Sequence, residues 1–187
     1  MRNAAKVRPA AGRTYAIPAG SPERLAGPTF ALMPAPPPPA PLPLPDDPRW
    51  MRAALAEAAA AGAEGEIPIG AVVVLDGRLL GKGRNQTERL RDVTAHAEML
   101  ALTAAATALG NKYLHHATIY VTVEPCPMCA AALHWAQVAR VVFGVADDKR
   151  GLHCFQPSLL HPRTQLIGGV LGEECGELMR AFFAAKR

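Results

Sequence analysis

The chain has 187 residues, half of them hydrophobic, with a formal net charge of +4: enough material for one domain with its own core plus an appendage. Its longest apolar stretches are broken by Glu57, Glu98 or glycine well short of membrane-spanning length, which argues against a transmembrane helix. Four cysteines, two of them in a Cys-x-x-Cys pair, do not make the disulfide framework of a small secreted domain, so the expected setting is reducing and cytoplasmic.

Residues 1–45 carry Arg2, Lys6, Arg8, Arg13 and Arg24 against the single acid Glu23, while residues 46–187 balance their charges. The basic pI therefore says little about the partners of the domain; only local clusters such as Arg84, Arg89 and Arg91 bear on it. Thirteen of the eighteen prolines lie at or before Pro48, including the run 36–39. Proline removes backbone donors and favours extended chain, so 1–45 is expected to be a disordered leader or stiff tether. Its arginine content resembles a transit peptide, but its proline density suits an amphipathic targeting helix poorly; an inert extension is the reading taken.

The domain, 46–187, is expected to start with Asp46 as a cap and Pro48 in the first turn of an Ala-rich helix reaching about Ala61. Ile69–Leu75, the tight turn Asp76-Gly77 and Arg78–Arg84 read as a β-hairpin. Thr94 is placed as the cap of a second helix running to about Leu109, and Ala117–Val123 reads as a buried strand. A third helix opens near Cys126 and continues to about Gln137, strand Arg140–Val145 follows, and Glu173–Ala185 forms an amphipathic last helix. Helices alternating with strands after a hairpin predict an α/β fold, a three-layer α/β/α sandwich on a mixed central sheet.

Two segments carry the chemistry, Thr94-Ala95-His96-Ala97-Glu98 and Glu124-Pro125-Cys126-Pro127-Met128-Cys129. Both fall at predicted helix starts, where the dipole and free N–H groups favour thiolates. Cys126 and Cys129, at i and i+3, can aim both sulfurs at one ion, and His96 adds a third ligand from the other helix. Zinc held by three protein ligands keeps a position for water, which the metal acidifies. Residues two apart on a helix point about 200° apart, so Glu98 and His96 do not share a face. Both can still border a site off the helix end. Glu98 then fits a proton carrier, taking a proton from water and giving protons to a ring nitrogen and a departing amine. Alternatives stay open at this level. A structural zinc site would draw a fourth ligand from His153 or Cys154, and a lone Cys-x-x-Cys can be a redox pair. Cys154 and Cys175 read more simply as packing or surface residues, and His115, His116, His134 and His161 as structural or solvated ones.

His-x-Glu followed by Pro-Cys-x-x-Cys is the signature of zinc nucleobase deaminases. Beyond it, residues 48–187 resemble the bacterial tRNA-specific adenosine deaminases. The matching stretches are Trp50 to Leu55, Glu66 to Val72, Asn85, Thr94 to Leu102, Tyr120 to Cys129 and Val141 to Gly144; Glu174-Cys175, Phe182-Phe183 and Lys186-Arg187 match at the end. The resemblance implies a cytidine deaminase-like fold, one zinc ion per subunit, a homodimer, and conversion of the wobble adenosine in an arginine-tRNA anticodon stem-loop to inosine. It further implies that Asn85 hydrogen-bonds the purine, that Ile69 walls the base, and that the backbone at Ala97 and Glu124 contacts it. Asp147 and Lys149 would border the RNA strand, and Phe183 with Lys186 and Arg187 would stack and bind phosphate. Ile69 also reads as a core strand residue, and Phe182 or Phe183 as a seal for the last helix. The Arg150–Ser158 loop departs from the small-residue loop of the family, which touches strand contacts more than chemistry. A free-base or free-nucleoside deaminase of guanine or cytosine is the competing reading, since it shares the metal motif; a non-enzymatic zinc module is the third.

Overall fold

A computed structural model describes residues 42–155 and 158–186. The leader before residue 42, Gln156, Pro157 and Arg187 lie outside the described residues. Gly70–Leu75 (β1) and Arg78–Arg84 (β2) pair antiparallel as the expected hairpin. Asp76 and Gly77 take φ of 50° and 71°, the left-handed pair that a two-residue turn matching strand twist requires. Thr118–Val123 (β3) is buried along its length and runs antiparallel to β1; Arg140–Val145 (β4) runs parallel to β3. Gln165–Ile167 (β5) adds a parallel edge, giving the order β2-β1-β3-β4-β5. Sequence reasoning did not find β5, because three residues are too few for a period to show.

Among the described residues five α-helices accompany the sheet: α1 (Asp47–Ala63), α2 (Thr87–Leu90), α3 (Ala97–Leu109), α4 (Pro127–Ala136) and α5 (Gly172–Ala185). Successive side chains on a strand point to opposite faces. Accordingly Ala71, Val73, Ile119, Val121 and Val141 form one core with Ala97, Ala101 and Ala105 of α3 and Ala130 and Leu133 of α4. Val72, Val74, Tyr120 and Val142 form the other with Met51 and Ala54 of α1 and Cys175 of α5. The three-layer α/β/α sandwich on a mixed sheet is therefore the observed architecture. The two faces sit close to their helices: a Cβ at Gly83 would collide with the Ala97 carbonyl, and one at Gly70 with the Ala54 carbonyl.

Of the two expected helix caps, Asp46 occupies the N-cap position of α1 as expected but without a side-chain bond, and Thr94 is corrected. Beside Asp46, its neighbour Asp47 is the buried residue, accepting from the Leu44 amide (2.7 Å), the Tyr120 hydroxyl (2.8 Å) and Arg140 (2.9 and 3.1 Å). Thr94 does not cap α3. Its amide and hydroxyl both go to Asp92 Oδ1, at 2.8 and 2.7 Å, and His96 occupies the cap position in an extended conformation. A serine-like cap was the stronger local signal, but the ligand has to leave the helix axis to face the cysteines.

The register gathers the functional segments. Gly70 pairs with Arg84, Ala71 with Val121, and Val123 with Val145. The start of β1 and the ends of β2, β3 and β4 thus share one end of the sheet, and Ile69, Asn85, Glu124 and Asp147 emerge there. Carboxyl ends of parallel strands are where open α/β sheets bind ligands.

Candidate active site

His96 at the cap of α3 and Cys126 at the cap of α4 face each other across this end, with Cys129 one turn into α4. His96 Nδ1 lies 3.7 Å from Cys126 Sγ and 3.5 Å from Cys129 Sγ, and all three ligand atoms fall within 4.8 Å of one another. Ligands about 2.0–2.3 Å from a tetrahedral zinc ion stand roughly 3.5 Å apart, so the residues fit that metal. A hydrogen bond from Cys129, helped by His96, outweighs burial and holds the Cys126 thiol at about 4. The same shared proton, with burial and Glu98 beside it, pushes the Cys129 thiol far up. His96, Cys126 and Cys129 would hold a cation there, and its charge would favour both sulfurs as thiolates.

His153 and Cys154 are not part of this group. The Cys154 sulfur lies against Asp148 O (3.6 Å) and His153 Nε2 (3.5 Å), and His153 Nδ1 is 2.7 Å from Glu124 Oε2. His96, Cys126 and Cys129 are the only such three-ligand group among the described residues, so the structural-zinc alternative loses its fourth protein ligand. The open position is the catalytic pattern.

Glu98, two residues into α3, is 4% exposed and sits beside Cys129. Burial, against its own backbone N–H and with the Cys126 sulfur adding to the rise, pushes its carboxyl up to about 7. An acid that exchanges its proton near neutrality beside a three-ligand metal group is equipped for proton transfer.

The surrounding residues divide. Asn85 is buried and its amide N–H donates to Ile69 O at 2.9 Å; Gln86 N–H donates to Ala95 O at 3.0 Å, which ties this strand end to the residue before His96. Ile69 packs partly buried against the core that contains Ala97. Ala97 opens α3, where the backbone N–H has no intrahelical acceptor. The Glu124 amide is taken by Val145 O (2.9 Å), and its side chain pins the following loop, accepting from Asp147 N (3.2 Å), His153 N (2.9 Å) and the His153 ring. Asp147 is half-buried and its Oδ1 accepts from the amides of Lys149 (3.0 Å) and Arg150 (3.1 Å), so this carboxylate shapes its own turn. Lys149 is exposed. Phe183 is exposed on α5, in the layer opposite the metal ligands; Lys186 stacks on Phe182 (4.4 Å) and reaches Gly65 O (3.2 Å).

Sequence reasoning missed one member. Glu66 is 2% exposed, and its carboxylate accepts from Asn85 Nδ2 (3.0 Å) and from the amides of Arg89 (2.8 Å) and Glu88 (3.3 Å). The signal that could have found it is a lone acid just ahead of an apolar strand entrance.

Comparison with known proteins agrees with this geometry. Residues 45–145 match the cytidine and deoxycytidylate deaminase zinc-binding region. A tRNA-specific adenosine deaminase of Agrobacterium fabrum is 43% identical over 143 residues, 74% of this chain and 94% of that one. A chain solved in a study of A-to-I editing by tRNA:A34 deaminases superimposes with a TM-score of 0.65 at 42% identity, over 70% of this chain and 98% of that one. The guanine deaminase of Bacillus subtilis superimposes with a TM-score of 0.51 at 34% identity, over 52% of this chain and 63% of that one. The chain belongs to the cytidine and deoxycytidylate deaminase zinc-binding family, in its tRNA-specific adenosine deaminase group, and is a zinc-dependent hydrolytic deaminase.

Proposed function

We propose that this enzyme converts the wobble adenosine of a tRNA anticodon stem-loop, that of an arginine tRNA, to inosine, acting in the cytoplasm as a homodimer. The observation that carries the reading is identity and extent together: 43% and 42% identity over 94% and 98% of the two tRNA deaminase relatives, against 34% over 63% of the Bacillus subtilis guanine deaminase. An unpaired loop also lowers the cost of unstacking a target base.

His96, Cys126 and Cys129 would hold the zinc ion, which when bound supplies Lewis acidity to a water at the open position. Glu98 takes a proton from the attacking water and passes it to purine N1. As the C6–O bond forms and the C6–N6 bond breaks, Glu98 carries the second proton to the amine, which leaves as ammonia. Ile69 walls the base, Asn85 and the backbone at Ala97 and Glu124 orient it, and Asp147 and Lys149 border the RNA strand. Phe183 and Lys186, at the end of the chain, offer an aromatic face and a positive charge for a more distant part of the RNA, and Arg187 adds a second charge in the sequence. For the homodimer, support comes from an apolar groove of about 400 Å³ lined by Met99, Leu102, Tyr113, Ala132 and Trp135, with Trp135 77% exposed.

The test offers zinc-loaded full-length enzyme an arginine-tRNA anticodon stem-loop with adenosine at the wobble position, beside free adenosine, guanine and cytosine. Mass spectrometry reads the products, with Glu98→Ala as control. Inosine in the stem-loop, absent with Glu98→Ala, is the expected result. Turnover of guanine with an untouched stem-loop would move the enzyme to base salvage.

A further inference from the structure

Asn85 is held in an unusual degree of detail for a residue beside a substrate pocket. Its Nδ2 donates to Glu66 Oε2 at 3.0 Å and to Thr87 Oγ1 at 3.2 Å, which engages both amide hydrogens. The orientation is imposed by Glu66, whose carboxylate is already fixed as an acceptor by the amides of Glu88 and Arg89. Turning the Asn85 amide over would set two acceptor oxygens against each other in a buried position. Asn85 Oδ1 takes no hydrogen from any described residue, and no sealed side-chain nitrogen or oxygen among those residues lacks a partner. Oδ1 is therefore the one polar atom of this side chain that remains open to a ligand.

We infer that Glu66 is a positioning residue for substrate recognition: it locks the Asn85 amide so that only the acceptor Oδ1 is offered, and Asn85 accepts from an N–H or O–H donor on the substrate. The inference rests on the reading that Asn85 lines the nucleoside pocket. It sharpens the expected contact. The ring nitrogens N1, N3 and N7 of adenine are acceptors, so Oδ1 engages either the exocyclic amine or a ribose hydroxyl. Thr87, at the start of α2, serves as the second acceptor, which gives that four-residue helix a purpose its own packing lacks, since none of its residues is buried.

Swapping the two groups tests this. Glu66→Gln replaces one of the two carboxylate oxygens by an NH2 group, so the side chain cannot accept from the Glu88, Arg89 and Asn85 N–H groups together. The single enforced orientation of the Asn85 amide is then lost, and its NH2 can face the substrate. The full-length, zinc-loaded variant should lose at least about tenfold in kcat/KM, mainly through KM, with zinc content and unfolding midpoint close to wild type. Glu66→Gln combined with Asn85→Asp exchanges amide and carboxylate across the same hydrogen bond and restores an acceptor facing the substrate; it should recover most of the loss. A double variant no better than Glu66→Gln, or an unchanged Glu66→Gln, overturns the inference. The comparison is run on whichever substrate the wild type turns over, so a failure of the RNA assignment is a separate result. A stem-loop with 2′-deoxyadenosine at the target separates the donors: a loss matching Glu66→Gln assigns the hydroxyl, full activity the amine. Should Glu66→Gln not fold, the Asn85 side-chain NH2 resonances of the Glu98→Ala enzyme decide. They should move little when the stem-loop binds; a large shift overturns the inference.

Discussion

Each helical layer buries a carboxylate against the sheet, and the two are left in opposite states. Glu98 on α3 is 4% exposed and Asp47 on α1 is 0% exposed. Burial raises both. At Asp47 the Arg140 guanidinium, the Leu44 amide and the Tyr120 hydroxyl overrule it and keep the acid below its ordinary value of 3.8. Glu98 has only its own backbone N–H and the metal-site residues nearby, and rises to about 7. Depth is therefore not what separates a structural brace from a proton carrier; the surrounding donors are. The α1 face, with the ion pair joining α1 to β4, is built to stay put, and the α3 face to exchange protons.

The comparison breaks most visibly at Glu98. Glu98→Gln keeps the side chain's shape and should cost about 10²–10⁴-fold in kcat, while zinc content and unfolding midpoint hold; loss of metal alongside activity would make Glu98 a ligand instead. Asp47→Ala reverses the pattern. It strands the Arg140 guanidinium, itself 12% exposed, and should cost about 3–5 kcal/mol of stability in denaturant titration. Activity per folded molecule should stay near wild type.

Gly83→Ala joins the two effects. Its Cβ meets the Ala97 carbonyl and Ala101 amide, so α3 must shift by a fraction of an ångström where it carries His96 and Glu98. About 1–3 kcal/mol of stability should go, with a fall in kcat that Asp47→Ala does not show. The smallest effect is in acid. Because Asp47 is depressed on folding, its contribution is present above the unfolded value and is lost as pH falls through the folded one. The stability gap between wild type and Asp47→Asn should narrow below pH 3.8; a gap constant down to pH 2 would mean that the charge contributes nothing.

Much of this is legible in the sequence, for reasons of chemistry. His96, Cys126 and Cys129 announce themselves because few arrangements of soft ligands at helix starts have another use. The hairpin and β3 are legible because Asp76-Gly77 and the Thr118–Val123 run satisfy local rules. What escapes is held from a distance. Thr87–Leu90 has no buried residue and hangs on Glu66, some twenty residues earlier in the chain. Asp46 and Thr94 obey capping preferences, yet the bonds that form go to Asp47 across the layers and to Asp92 within a turn. The side-chain role of Glu124 is equally invisible, because its three donors sit in a loop more than twenty residues downstream.

The gathering of strand ends has a consequence for how such an enzyme changes over evolutionary time. The metal ligands ride on two helix starts packed into one core, whereas Ile69, Asn85 and Asp147 hang from strand ends and turns. Substitutions at the second set can redraw which nucleobase fits without moving the first. A scaffold divided this way can keep one reaction and diversify its substrates, a free base in one lineage and a nucleotide within RNA in another.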